Sequence, residues 1–259
     1  MTIDDLRQVA LKADRRNDPA WVESLEDRKQ KESDFHDEKH RGMQDAMQKG
    51  AMDTFEAVYT NRKYYRAVGA CREYADNWLN TESKGRVLLD YCCGAGGTSI
   101  KAAKAGAGLC IGIDISAYSL DVAQKRAEAE GVADRCVFIQ GDAENTGLPD
   151  NSVDRIICSG VLHHLDVTKA FPELMRILKP GGRILAVEAL DYNPAIKLYR
   201  MRTPDIRTEW EKAHILSMKD VRLARRYFDV DNLKFWHITA IAGPHLPEFF
   251  LPILHRIDR

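Results

Sequence analysis

The sequence predicts an α/β fold, a doubly wound and mostly parallel sheet preceded by an N-terminal helical lid. Three observations predict it. Between residues 86 and 190, short apolar runs alternate with helix-compatible segments, the β-α-β rhythm of a parallel sheet with right-handed crossovers. One run, Val87-Leu-Leu-Asp90, leads into a turn bearing Gly94, Gly96 and Gly97, as where a strand meets a helix around a ligand. Residues 1–80, by contrast, are polar, helix-compatible and rich in both charge signs.

In chain order, strands are expected at 86–91, 109–114, 136–140, 153–158 and 183–189, each a short apolar run of buried-strand type. Helices are expected at 97–107, 117–130 and 168–178, the second with Ser116 as N-cap and Gly131 as its stop. Pro180-Gly-Gly182 breaks the third helix and reverses the chain. A helix over 217–227 and a sixth strand over 233–242 follow. The division expected is a cap over 1–80 and a core over 81–259, with 190–216 as an insertion on the acceptor side. The tail, with Phe249-Phe-Leu-Pro-Ile-Leu254, is apolar, and Pro247 and Pro252 oppose a full strand. It suggests a homodimer contact or a membrane-surface contact.

Composition narrows the class. A chain of 259 residues with 44% hydrophobic residues suits one large domain with an extension. A formal net charge of −1 carries no overall footprint for nucleic acid or an anionic membrane. The start Met1-Thr-Ile-Asp-Asp5 lacks the basic and apolar regions of a signal peptide, and no apolar run approaches the ~20 residues of a membrane span. Cys71, Cys92, Cys93, Cys110, Cys136 and Cys158 form no C-x-x-C pair, which points to reduced thiols and a cytoplasmic location. Cys92 and Cys93 read as small residues in a tight loop, with redox or metalloid sensitivity as the alternative. His36 and His40 share a helix face but miss the H-E-x-x-H pattern, so a solvated face is expected and no metal.

The glycine turn decides between nucleotides. In a dinucleotide fingerprint the third glycine place falls on Ser99, and an acid, Asp90, precedes the glycines. The pattern D-x-x-x-G-x-G resembles the first motif of class I S-adenosylmethionine (SAM)-dependent methyltransferases, with Cys92 where that family usually has glycine. Three later segments resemble the family in the right order: Leu109-Cys-Ile-Gly-Ile-Asp114, Val137 to Glu144, and Leu174 to Glu188. The resemblance covers about residues 86–190 and implies SAM as cofactor and S-adenosylhomocysteine as product. It implies that Asp90, Cys92, Gly94 and Gly96 hold the amino-acid end of SAM. Asp114 would accept the ribose hydroxyls, with capping of the next helix as its other reading, and Ile115 would face the adenine. Asp142 would accept the adenine amino group beside the Ala143 N–H, and Ser159, after the fourth strand, is a further candidate cofactor contact.

Methyl transfer from a sulfonium releases a neutral thioether, so the acceptor's alignment matters most and can supply ~7–11 kcal/mol. A base is needed only where the acceptor starts protonated, and a placed histidine adds ~10²–10⁴-fold. His163 and His164 follow the fourth strand, where the resemblance places the methyl, and either is the candidate general base. Ser159-Gly-Val-Leu162 lacks the Pro-Pro-aromatic motif of enzymes that methylate amino groups of nucleic-acid bases, so no nucleic-acid partner is expected. Phe35-His-Asp37 resembles segments ahead of the core in small-molecule methyltransferases, where N-terminal helices cover the site. Tyr65, Tyr192, Tyr199, Arg207 and His214 are the candidate acceptor contacts.

The expected function is methylation of an O, N or C atom of a small polar metabolite. A SAM-binding protein without methyl transfer, whether regulator or SAM-dependent cyclase, is one rival. An NAD-dependent oxidoreductase is the other, opposed by Ser99, Asp90 and Asp142.

Overall fold

The computed structural model describes residues 1–16, 18–50, 69–191, 208–236 and 247–250, together with Met201, Ile253, Leu254 and Arg256. Five strands build its sheet: β1 (Val87–Tyr91), β2 (Leu109–Asp114), β3 (Cys136–Gln140), β4 (Val153–Ser159) and β5 (Leu178–Val187). All pairings are parallel, in the order β3-β2-β1-β4-β5. Every residue of β1, β2 and β3 is buried, which is why these strands read as unbroken apolar runs. The order reverses between β1 and β4, and in such sheets the ligand crevice lies outside the strands' carboxyl ends at that point.

Contacts divide the chain at places other than residue 80. Met1–His40 and Trp78–Ala189 form one unit; Arg41–Asn77 and Leu190–Arg259 form a second. The first 40 residues join the core because their polar groups are used on it. Helix α1 (Ile3–Ala13) starts with a capping box between Thr2 and Asp5 and buries Leu6 and Ala10. It runs along the edge strand β3. Arg16 donates to the Phe138 carbonyl (2.9 Å), the Arg15 N–H to the Gln140 carbonyl (3.0 Å), and the Gln140 N–H to Asp14 (2.8 Å). An edge strand that would otherwise present open backbone groups is thereby covered. The short α2 (Pro19–Ser24), with Asp18 as N-cap, leads into α3 (Asp27–Gln48).

After α4 (Gly69–Glu82), the helices α5 (Gly97–Lys104), α6 (Ala117–Ala129) and α7 (Val167–Ile177) follow β1, β2 and β4. Ser116 caps α6 as expected, its hydroxyl accepting the Ser119 N–H. Leu178 already pairs with Val153; the chain then bulges through Pro180-Gly-Gly182 and pairs again from Arg183. The strand expected at 183–189 therefore begins earlier, with an irregularity where the helix break was read.

In the second unit, α8 (Glu209–Ala213) and α9 (Met218–Ala224) each begin with a capping box, from Thr208 and Ser217. The Asn232 amide donates to the Tyr74 hydroxyl (3.0 Å), and the Tyr74 and Trp236 rings lie 5.7 Å apart. Of the sixth strand expected over 233–242, Leu233–Trp236 carry no strand pairing, and the rest lies outside the described residues. In the tail, Glu248–Phe250 form a single 3₁₀ turn, and Phe249 is exposed. Among the described residues no helix is long and apolar enough to cross a membrane.

Candidate active site

The site is assembled from the loops that leave β1, β2, β3 and β4. Asp90 is buried at the end of β1, and its carboxylate accepts both the N–H and the hydroxyl of Ser99 (2.8 Å each). Asp90 thus ties the strand to the first turn of α5 and shapes the loop between them. Burial, opposed by the two Ser99 hydrogen bonds and aided by the Asp114 charge, pushes its carboxyl up to about 7. Ser99, the residue that breaks the dinucleotide pattern, is the partner this acid needs. Gly96 holds φ 71°, and a Cβ there would lie 2.8 Å from the Ala123 side chain, so glycine is required on steric grounds. Gly94 holds φ 49° with nothing within 4 Å of an added Cβ, which leaves backbone open to a ligand.

Asp114 ends β2 and holds the same loop from the other side. Its carboxylate accepts the Gly94 N–H (2.7 Å) and the Ser116 N–H (2.9 Å). An ionised carboxylate has about four acceptor positions, so capacity for two ribose hydroxyls remains. The Ile115 carbonyl accepts from Gln140 (2.8 Å) and Ser33 (3.2 Å), which fixes this half-buried side chain after β2. Beyond β3, Asp142 accepts the Glu144 N–H (2.9 Å), and the Ala143 carbonyl accepts from the Tyr91 hydroxyl. At the end of β4, Ser159 is exposed. The expected cofactor residues therefore converge on one end of the sheet, with open glycine backbone between the acids. That arrangement fits an adenosine with a charged amino-acid end.

Cys92 is half-buried and holds φ 56°, the left-handed region in which the family's usual glycine is at ease. Burial pushes the Cys92 and Cys93 thiols up, which favours the packed reading over a reactive one. All six cysteines are free thiols.

His163 and His164 lie in a 3₁₀ turn, Leu162–His164, after β4. Their rings are 4.3 Å apart, yet each Nδ1 meets a different carboxylate: His163 faces Glu188 (3.3 Å), and His164 faces Glu32 (3.0 Å). The other Glu188 oxygen accepts the Val161 and Leu162 N–H groups (2.8 and 2.9 Å), so Glu188 anchors the turn and orients His163 together. A carboxylate on Nδ1 selects the tautomer that leaves Nε2 as the proton-accepting nitrogen.

The partners that sequence reasoning missed lie on α3. Its polar stripe, read as solvated, lies against the core. Lys29 bridges Asp142 (2.7 Å) and Glu144 (2.8 Å), Asp37 accepts from Ser116 (2.5 Å), and His40 Nδ1 meets the Ser119 hydroxyl (2.6 Å). Arg28 pairs with Glu144 (2.6 Å) and donates to the His164 carbonyl (3.0 Å). Lys29, Glu32 and Ser33 are buried. The i, i+3, i+4 spacing of these polar residues was the available signal. Of the expected acceptor contacts, His214 belongs to the second unit, where its exposed ring stacks on Trp210 at 3.6 Å. Tyr65, Tyr192, Tyr199 and Arg207 lie outside the described residues.

Residues 89–186 match the family described as "Methyltransferase domain", over the segment that carries the loop, Asp90, Asp114, Asp142 and the histidine turn. Over those residues, less than half of its length, the chain is similar to a methyltransferase domain. It is similar to a demethylmenaquinone methyltransferase of Lactiplantibacillus plantarum, 32% identical over 145 residues, covering 54% of this chain and 61% of the relative. A sterol 24-C-methyltransferase of Aspergillus fumigatus is 29% identical over 120 residues, covering 46% of this chain and 32% of the relative. The crystal structure of the YcgJ protein of Bacillus subtilis matches at TM-score 0.52 and 26% identity, covering 70% of this chain and 82% of that one. The chain thus spans less than two thirds of the length of these two curated relatives.

Proposed function

We propose that the protein transfers the methyl group of SAM to an O, N or C atom of a small-molecule acceptor, releasing S-adenosylhomocysteine. The observation that carries the reading is that the Gly94–Gly96 backbone, Asp114 and Asp142 follow the carboxyl ends of β1, β2 and β3, at the same end of the sheet as the histidine turn after β4. Bound SAM supplies an electrophilic methyl on a sulfonium. Asp114 then orients the ribose, Asp142 the adenine, and the loop backbone the amino-acid end. His163, oriented by Glu188, accepts the acceptor's proton at Nε2 where the acceptor carries one. Relatives named for a sterol and for demethylmenaquinone support a small organic acceptor over a polymer. The absence of a Pro-Pro-aromatic motif after β4 supports the same choice.

Residues 1–80 as a cap, 81–259 as the core, and 190–216 as the acceptor-side insertion belong to this proposal, as do a cytoplasmic location and a homodimer contact through the tail. Tyr65, Tyr192, Tyr199, Arg207 and His214 are proposed as acceptor contacts.

Two measurements test the roles together. Asp114→Ala is expected to weaken SAM binding at least about tenfold, the scale of losing ~1.4 kcal/mol of contact. His163→Ala and His164→Ala are expected to keep binding, with the His163 change slowing turnover by about 10²-fold or more. Equal losses of binding in all three variants would refute the assignment.

A further inference from the structure

Glu32 and His36 stand four residues apart on α3, so both side chains leave the same face of the helix. His164 approaches that face from the turn after β4. One oxygen, Oε2 of Glu32, lies 3.0 Å from His164 Nδ1 and 3.6 Å from His36 Nε2. One donor atom from each of the three residues lies within 4.8 Å of the other two. Glu32 is buried, and the two imidazoles are half-buried.

We propose that Glu32, His36 and His164 form a binding site for a divalent transition-metal ion of the zinc type. The chemistry of the donors suits it: two imidazole nitrogens and one carboxylate are a recurrent zinc set, with a fourth position left for a ligand. The distances suit it as well. Zinc bonds of ~2.0–2.1 Å in a tetrahedron place ligand atoms ~3.3 Å apart, between the 3.0 and 3.6 Å of the two pairs on Oε2. A helical pair four apart, joined by a third ligand from elsewhere in the fold, is also how a zinc-binding helix presents its side chains. The second shell is present: Arg28 donates to the His164 carbonyl (3.0 Å), holding the turn that carries this ligand.

The site divides the two neighbouring histidines by role, His163 with Glu188 and His164 with the metal. The fourth position would take an oxygen of the acceptor and lower its pKa, a step that rests on the methyl-transfer reading. Metal binding itself does not rest on it.

The full chain, stripped with EDTA and titrated with Zn²⁺ by calorimetry, is expected to bind one ion with a Kd at or below about 1 μM. Co²⁺ in its place is expected to show the visible spectrum of a tetrahedral ion. Glu32→Gln, His36→Gln and His164→Gln are each expected to weaken Zn²⁺ binding at least about tenfold. His40→Gln, one turn further along α3, is expected to leave it unchanged. His36, with 26% of its side chain exposed, is the position least able to disturb folding, and metal-free melting curves identify any variant that has lost its fold. His36→Asp, which keeps an oxygen ligand, is expected to recover part of the affinity lost in His36→Gln. No Zn²⁺ binding by the wild type at ~100 μM, or equal binding in all three glutamine variants, would overturn the site. A protein that transfers methyl groups but binds no zinc fails this proposal alone; one that binds zinc but transfers nothing fails only the methyl-transfer reading.

Discussion

Cys92 occupies a backbone conformation, φ 56°, that costs a side chain of L configuration roughly 1–2 kcal/mol. Cys92→Gly and Cys92→Ala both delete the thiol, but only glycine relieves the strain. The glycine variant is therefore expected to be the more stable by about 1 kcal/mol in urea melts; the opposite order would mean that this turn is unstrained. Asp90 makes a second residue-level prediction. Its carboxyl titrates at about 7 in the fold against 3.8 outside it, chiefly because it is buried. The folded state thus holds an extra proton between those values. The associated stability is fully present below pH ~4 and is lost as pH rises through ~7. The melting temperature of the wild type relative to Asp90→Asn should fall between pH ~4 and ~7 and level off above that. A constant difference would contradict the buried, protonatable acid. Asp90, Asp114 and Asp142 were legible in the sequence because each ends an apolar run, where the chain must turn. The work of Asp90 on Ser99 was not, since a carboxylate facing a ligand and one facing a loop leave the same mark in a sequence.

At the scale of elements, α3 shows where sequence reading stops. Its charged residues at helical spacing fit a solvated face as well as a face bound to buried partners, and only the tertiary fold decides. Residues 29, 32, 33, 37 and 40 form a polar seam against Asp142, His164, Ile115, Ser116 and Ser119. Strands β1, β2 and β3, by contrast, were placed within a residue, because full burial makes them apolar on both faces. His40 makes the seam pH-sensitive. Burial, helped by nearby His36, lowers its pKa below the ordinary 6.5, so the imidazole is neutral in the fold. The unfolded chain takes up the proton first. The stability His40 contributes is present above pH ~6.5 and is lost as pH falls through the lower folded value. Amides of α3 are expected to lose hydrogen-exchange protection on acidification sooner in the wild type than in His40→Gln. Identical profiles would remove His40 from the seam.

At the scale of the whole molecule, the parallel order β3-β2-β1-β4-β5 gathers four loops at one end of the sheet, and α3 brings a further set of polar groups to them. The β-α-β rhythm carried this architecture in the sequence. The division of the chain was less legible: residues 1–80 read by composition as one helical lid, whereas the unit that contains the sheet includes Met1–His40 and Trp78–Ala189. The central claim is methyl transfer from SAM to a small molecule. The measurement that tests it most directly incubates the protein with SAM carrying a labelled methyl and a fractionated cell extract. Label is expected in the small-molecule fraction, with the product heavier by one methyl group and S-adenosylhomocysteine formed in equal amount. Label in protein or nucleic acid, or tight SAM binding with no transfer to any fraction, would contradict the account.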